Sequence, residues 1–484
     1  MARADWYRLD NIGKFYSAQA GHRGQTVFRF AAAMADEVDP FALQAALNRT
    51  VARYPGFNVS LRSGLFWHYL EPSGAIPKVH EENLPVCCGL HAGPKSVLFR
   101  VSFYRTRINL EVSHIIADGR GAFRFFRELL RFYVAEREGA AVPAGEGPAD
   151  TAADRSEDSF RRHYDRDAAG PTPTERAYRL PGARNRSDPL FMEYHLPAAA
   201  LVQWAHRLDV SVTALVIAAV ICAIRATMAP AKRDCPIRMD VPVDLRQFFE
   251  STTMRNFFGL AFVSYRPGPR DEPLEAVAAE VQRQILATCT ADAVKGRMNR
   301  MVSLERNPLL RWAPVFLKDA ALEGITRLTA LDVTTSVSSL GRIRLAPEVE
   351  PHVRSISLLT ATSGLNFTVC TFGDDLCIGI SSALVRPDAL RHLCRLFSAA
   401  GIHGTIDSNL GAGDVGRRLR EARLDGGLRD ASEGAAASAA QAKGGSVGAA
   451  DDESTSGDAE GGAAEPHPGD EAARERGCGH AELR

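Results

Sequence analysis

Residues 99–129, "FRVSFYRTRINLEVSHIIADGRGAFRFFREL", and residues 367–397, "FTVCTFGDDLCIGISSALVRPDALRHLCRLF", align without a gap. Phe99 stands over Phe367, Val101 over Val369, Leu110 over Ile378 and Val112 over Ile380. These apolar positions alternate, which is the period of a strand with one buried face. Farther on, Ala122, Phe125, Phe126 and Leu129 stand over Leu390, Leu393, Cys394 and Phe397, along one helical face. Each segment therefore reads strand, turn, strand, loop, helix. Repetition of such a unit in a 484-residue chain that is 45% hydrophobic points to two lobes of related α/β architecture, each a mixed sheet with helices.

The rest of the chain divides around that repeat. Residues 1–138 form the first lobe and residues 178–405 the second. Between them, 139–177 is rich in Ala, Gly, Pro, Asp and Arg and reads as an exposed connection, with a short helix around "DSFRRHYDR". From 411 to 484 large apolar residues almost vanish. That tail cannot bury enough surface to offset its ordering entropy, and is expected to be disordered. Inside the lobes, Asp39 and Pro40 open an amphipathic helix, and Ser211 or Thr213 opens another through Ala214–Ile224. "CPIRMDVPVDLR", "RNFFGLAFVSY" and "ALDVTTSVSSLG" are strand candidates.

Composition removes several partner classes. Lys plus Arg and Asp plus Glu number 58 each, so there is no electrostatic case for nucleic acid or an anionic membrane. The nine cysteines are scattered, odd in number and without a CxxC pair, which fits a reducing cytoplasm better than a disulfide framework. The first residues are charged and lack the apolar core of a signal peptide. The run Ala214–Ile224 falls short of the roughly 20 residues that a membrane-crossing helix needs, so no transmembrane segment is expected.

The repeat also isolates what is special. Opposite His114, Asp118 and Gly119 in the first copy stand Ser382, Arg386 and Pro387 in the second. The same turn is made without the His, the Asp or the Gly, so the architecture alone does not require them. Local structural roles exist for each. A histidine can close a strand as a satisfied core residue, Asp118 sits where a helix N-cap belongs, and Gly119 could serve a left-handed turn. A metal site lacks further ligands at suitable spacing, so none is expected. The catalytic alternative is general base chemistry, since a neutral imidazole accepts a proton near neutral pH. Asp118 would then bond the imidazole directly, or hold the loop by pairing with an arginine.

"SHIIADG" resembles the HxxxDG motif of the chloramphenicol acetyltransferase-like superfamily, which includes alcohol acetyltransferases, wax ester synthases, plant HxxxD acyltransferases and peptide-synthetase condensation domains. "DPFALQAALNRTVARYPGFNVSLRSGLFWHYLEP", "DVPVDLRQFF", "TMRNFFGL" and "SVSSLG" resemble further segments of alcohol acetyltransferase-like members, in the same order, over roughly Trp6 to Phe397. The resemblance implies a two-lobed fold with an active-site tunnel between the lobes. It implies that His114 is the base that deprotonates an alcohol or amine acceptor attacking an acyl thioester, with no covalent acyl-enzyme. Asp118 would be the structural acid paired with an arginine, for which Arg246 is the candidate, and Gly119 the motif glycine. Ser338, Ser339 and Asn256 are candidate oxyanion donors, each with ordinary turn or strand-end hydrogen bonding as the alternative. No permanently bound cofactor is expected; acyl-CoA would be a co-substrate. Ser113 stands where condensation domains and wax ester synthases usually carry a first histidine, and the plant DFGWG motif is absent, with "RNFFG" nearest in position. This favours a free-standing enzyme using a coenzyme A thioester over one using an acyl carrier protein. A non-catalytic ligand-binding relative is the remaining alternative.

Overall fold

The computed structural model describes residues 6–19, 26–90, 96–141, 151, 155, 157–165, 175–306, 313–329 and 331–410. The tail at 411–484 therefore lies outside the described residues. Two large mixed sheets organise the rest. A five-stranded sheet runs, edge to edge, Val353–Thr360, Val27–Met34, Arg107–Ser113, Phe99–Tyr104 and Val79–Glu81. A seven-stranded sheet runs Phe258–Tyr265, Ile237–Asp244, Thr335–Ile343, Leu365–Phe372, Asp375–Ser382, Leu190–Pro197 and Thr405–Ser408. A small three-stranded sheet joins Tyr7–Arg8, His68–Pro72 and Val59–Ser63.

The repeat extends to strand register. Phe99 pairs with Val112 and Val101 with Leu110, while Phe367 pairs with Ile380 and Val369 with Ile378. Each hairpin feeds a helix, Gly119–Glu138 in one copy and Asp388–Ala399 in the other. Local signals operate as their chemistry requires. Asp39 accepts hydrogen bonds from Phe41 and Ala42 at the start of Pro40–Arg53, and Ser211 from Ala214 at the start of Val212–Arg225. That second helix is buried from Ala214 to Arg225, which explains its apolarity all round. Among the described residues no single helix is long and apolar enough to cross a membrane. All eight cysteines there are free thiols.

Two features depart from the expected division. Val353–Thr360 lies in the stretch assigned to the second lobe, yet it pairs antiparallel with Val27–Met34 in the five-stranded sheet. Gly379 explains how closely that strand lies over the other sheet: a Cβ there would stand 1.9 Å from the Leu358 carbonyl oxygen. The sheets are also joined by polar contacts, with Arg107 ion-paired to Glu193 and Ser357 donating to Glu193 at 2.7 Å. The second departure is the connection. Its described part is not all exposed, because Ser159 and Phe160 of the short helix Ser159–Arg162 are buried. Phe160 packs edge-on to Phe257 at 5.3 Å, and Ser159 shares a 2.8 Å hydrogen bond with Ser251. One aromatic side chain of this kind contributes about 2–3 kcal/mol on burial, enough to anchor a polar segment.

Candidate active site

His114 follows the strand Arg107–Ser113 and is held by its backbone. Its N–H donates to the Thr26 carbonyl at 2.8 Å, and its carbonyl accepts from the Asn256 side chain at 2.8 Å. Ser113, in the position of the other families' first histidine, is buried, with its hydroxyl 3.2 Å from that of Thr26. The imidazole is half-buried among aromatic rings. Tyr16 stacks on it at 4.8 Å with planes 15° apart, Phe28 tilts against it at 4.4 Å, and Phe258 stands 6.2 Å away. Nδ1 is buried and has no hydrogen-bond partner of ordinary geometry. Burial lowers the imidazole pKa from 6.5 to about 4, against opposing contributions from Asp118, Asn256 and the Ala117 backbone. The ring is therefore neutral at physiological pH.

Asp118 does not serve the imidazole. Its Oδ1 caps the helix by accepting from Gly121 N at 2.9 Å. Its Oδ2 accepts from Arg246 at 2.9 Å and from Phe257 N at 2.8 Å. The N-cap and the arginine pair are thus combined in one carboxylate, an oxygen for each. Arg246 in turn donates to the Thr253 carbonyl at 3.1 and 3.0 Å, to the Arg255 carbonyl at 2.7 Å and to Asp244 at 2.9 Å. One guanidinium therefore ties the loop after Ile237–Asp244 to the HxxxDG turn, as a planar five-donor fork allows.

The three oxyanion candidates separate. Ser339 turns to the helix-covered side of its sheet, where its hydroxyl lies 3.1 Å from that of Thr213 at the start of Val212–Arg225. Asn256 is also diverted: its amide donates to His114 O and approaches both Asp10 oxygens at 3.3 Å. It holds the backbone of His114 and also contributes to the electrostatics of its ring. Ser338 is half-buried and alternates with Val337, which sits in the helix-side core, so it lies on the opposite sheet face with Ser336. Phe258, 6.2 Å from His114, falls on that face by alternation with Ala261 and Val263, although it also touches the edge of the helix-side core. Of the three, Ser338 is the one on the face opposite the helix-side core with no side-chain hydrogen bond to Thr213, Asp10 or His114.

Gly119 begins its helix, and a Cβ there would meet Leu340 Cδ2 at 3.4 Å, an ordinary contact. The backbone has no left-handed turn at this residue. The glycine that the packing demands is Gly121, where a Cβ would fall 1.8 Å from the Met254 carbonyl oxygen. Gly121→Ala is accordingly expected to destabilise the fold by about 1–3 kcal/mol or more through overpacking, and Gly119→Ala by under about 1 kcal/mol. Urea unfolding of both variants checks the order; equal effects would contradict it.

Sequence reasoning passed over Tyr16 and Phe28, which carry no motif and reach His114 only through the fold, and gave Phe258 of "RNFFG" no role of its own. It also passed over Asp10. Burial raises that carboxyl to about 6, against Arg255, the Gly13 N–H and Asn256, while Asp158 adds to the rise. Two concavities among the described residues lie elsewhere, one lined by Tyr7, Phe57, Ile116 and Met254, the other by His195, Arg354 and Asp375. Neither is lined by His114, on which Tyr16 lies flat. Glu193, His195 and Asp407 lie close enough to share a cation. Glu193, however, is paired with Arg107 and Ser357. Burial pulls the His195 pKa down, but hydrogen bonds to Asp375 and Glu193 outweigh it and raise it to about 9, so the ring is a cation and a poor ligand.

Residues 196–381 match the family described as phthiocerol/phthiodiolone dimycocerosyl transferase C-terminus. No curated protein matches the whole sequence significantly. Among solved structures, the chain is similar to the first condensation domain of the calcium-dependent antibiotic synthetase, at 16% identity and a TM-score of 0.54, over 82% of this chain and 94% of that one. Polyketide synthase associated protein 5 from Mycobacterium tuberculosis gives 15% identity and a TM-score of 0.53, over 81% and 98%. The trichothecene 15-O-acetyltransferase from Fusarium sporotrichioides gives 12% and 0.53, over 82% and 95%. These likenesses establish the two-lobed fold.

Proposed function

We propose, from the premise that this chain is a member of the chloramphenicol acetyltransferase-like acyltransferases, that it moves an acyl group from an acyl-CoA thioester to an alcohol or amine. The observation that carries this reading is His114: a neutral imidazole, fixed at both backbone groups, beside a turn locked by Asp118 and Arg246. Nδ1 is enclosed, so Nε2 is the nitrogen left to take a proton. As the acceptor oxygen or nitrogen attacks the thioester carbonyl, its proton passes to Nε2 and the carbonyl pair moves onto oxygen. The tetrahedral intermediate then re-forms the carbonyl and breaks the carbon–sulfur bond, and the imidazolium returns its proton to the thiolate. Ser338 is the side chain best placed to donate to the oxyanion. Binding acceptor and thioester in one orientation supplies much of the remaining rate.

The O-acetyltransferase among the structural neighbours supports an alcohol acceptor. The condensation domain supports the second reading, transfer from a carrier-protein thioester. Intact-mass analysis of acceptor alcohols and amines, incubated with the protein and either acetyl-CoA or an acyl carrier protein bearing the same acetyl group, separates them. Acylated product with acetyl-CoA at a rate at least about 10-fold above the carrier is the expected result. Turnover confined to the carrier would reverse the donor assignment, and transfer from neither would remove the enzymatic reading.

A further inference from the structure

We propose that Asp240 recognises the acceptor: its carboxylate binds a second hydrogen-bond donor, hydroxyl or ammonium, on the molecule whose nucleophile meets His114. The inference rests on the acyl-transfer reading and adds a substrate class to it.

Asp240 lies within the strand Ile237–Asp244. Its neighbours Met239 and Val241 point into the helix-side core, so Asp240 points to the other face. Oδ1 of Asp240 is buried without a hydrogen-bond partner. Sheet pairing explains nothing about that carboxylate, since the strand's ladder is made by backbone. An apolar or amide side chain would fill the position at lower cost, and orphaned acceptors of this kind mark places where a ligand completes the bonding. Asp244, two positions along on the same face, is the contrast, with Arg246 at 2.9 Å and Arg120 at 3.6 Å. The cation nearest in sequence, Arg238, lies over the Phe262 ring at 4.3 Å and donates to the Asp332 carbonyl. The Ser336 hydroxyl stands 3.5 Å from the Asp240 carbonyl oxygen and also acts on the carboxyl, and Oδ1 is the oxygen left unmatched.

The position relative to His114 decides the role. Tyr16 stacks on the imidazole, and its hydroxyl pKa is raised first by burial and then by the charge of Asp240. Tyr16 thus responds to both groups, and the sheet register sets Asp240 opposite Phe262, four residues along the strand from Phe258, which stands 6.2 Å from His114, so that in this proposal one small molecule reaches both. Between them the adjacent strand presents Phe258, Leu260 and Phe262, paired with Asp244, Pro242 and Asp240. Phe258 to Phe262 covers about 13 Å along the strand, which sets the scale of the spacer. An apolar wall with a carboxylate at its far end fits an acceptor with a nucleophile at one end, an alkyl or aryl spacer, and a donor at the other. Perturbed ionisation in such a place agrees with ligand binding: burial raises the Asp240 carboxyl to about 6, although Ser336, its own amide and Arg238 lower it.

The test compares hexanol, hexanediol and dimethylaminohexanol, with their ten-carbon counterparts, as acceptors from acetyl-CoA. The tertiary amine cannot itself hold a stable acyl group. For the wild type, kcat/KM for the better bifunctional acceptor should exceed that for the simple alcohol by about 100-fold or more, mostly through KM. Asp240→Leu should erase the preference. In Asp240→Asn, loss of the amine preference with the diol preference kept identifies an ammonium; retention of the diol preference as the only one seen in the wild type identifies a hydroxyl. Equal use of all acceptors by the wild type, or a preference unchanged in Asp240→Leu, overturns the proposal. Calorimetric binding of the same compounds without acyl donor gives a readout independent of turnover. Selective binding that Asp240→Leu abolishes, without acylation of any acceptor, would sink the acyl-transfer reading and leave the Asp240 site standing. Asp240→Asn should melt no lower than the wild type above pH 6, because it removes a buried charge, and this keeps misfolding out of the comparison.

Discussion

His114→Ala is expected to lower kcat for acyl transfer by about 10²- to 10⁴-fold, the range that a positioned base contributes. The backbone bonds of His114 to Thr26 and Asn256 do not involve its ring, so the turn survives the substitution. His114→Gln keeps more of the packing against Tyr16 and Phe28 and serves as the second variant. More than one tenth of wild-type activity in both would remove the imidazole from the chemistry. The pH profile carries an independent mark. With the ring's pKa lowered by burial to about 4, kcat/KM for hexanol in the Asp240→Asn background, where no Asp240 carboxyl titrates, should stay level from about pH 8 down to pH 5 and fall only below it. A limb near 6.5 would mean that the ring is solvated as a free histidine is. Stability follows the same shift. Between pH 6.5 and about 4 the unfolded chain takes up the proton that the folded ring refuses, so this contribution to stability is lost as pH falls through that window. Asp10 and Asp240 act with opposite sign. Their carboxyls, raised from 3.8 to about 6, contribute stability at low pH that is lost as pH rises through 6. His114→Gln should therefore lose less stability than the wild type on going from pH 7 to pH 5, as urea unfolding at the two values would reveal.

Arg246→Ala should cost about 3–5 kcal/mol of folding stability, the usual effect of removing one side of a buried ion pair. Asp118 is then left with a charge matched only by backbone N–H groups, and the Thr253 and Arg255 carbonyls lose their donor. Arg246→Lys should recover little, because a single ammonium cannot reach the carboxylate and both carbonyls together. Asp118→Ala should cost a similar amount, with the N-cap to Gly121 lost as well. The double variant should be more stable than the sum of the two losses predicts, by about 1 kcal/mol or more. Wild-type stability in Arg246→Lys, or strict additivity in the cycle, would show that the clamp is not a unit. Activity should fall in every folded member of the set, since Asn256 in the clamped loop holds the His114 carbonyl.

Sequence reading reached far where the governing contacts are close along the chain. The hairpins at 99–113 and 367–382 were legible as strand, turn and strand with their buried faces, because a two-residue side-chain period marks the face locally; the pairing itself came from the structure. The caps at Asp39 and Asp118 were legible, and that of the apolar helix was narrowed to Ser211 or Thr213, because the amides they accept lie two or three residues away. The partnership of Asp118 with Arg246 was reachable only through family resemblance, since 128 residues separate them. Ser339 and Asn256 show where this ends. Ser338 and Ser339 are the same residue type in adjacent positions, and the pleat alone sends one to Thr213 and the other to the open face. Asn256 has four hydrogen-bonding options, and Asp10 and His114, each distant in sequence, settle which are used.

From its sequence alone this protein has two lobes, a repeated hairpin and helix, and one histidine and aspartate set apart from the repeat, for each depends on periodicity and spacing that the chain carries locally. Tertiary structure decided that Val353–Thr360 joins the other lobe's sheet, that Gly121 and not Gly119 is sterically required, and that Asp240 is left with an unmatched oxygen beside Tyr16. The physical reason is common to all three. Each is a statement about which atoms meet across more than a hundred residues of chain, and close packing, not local propensity, determines that.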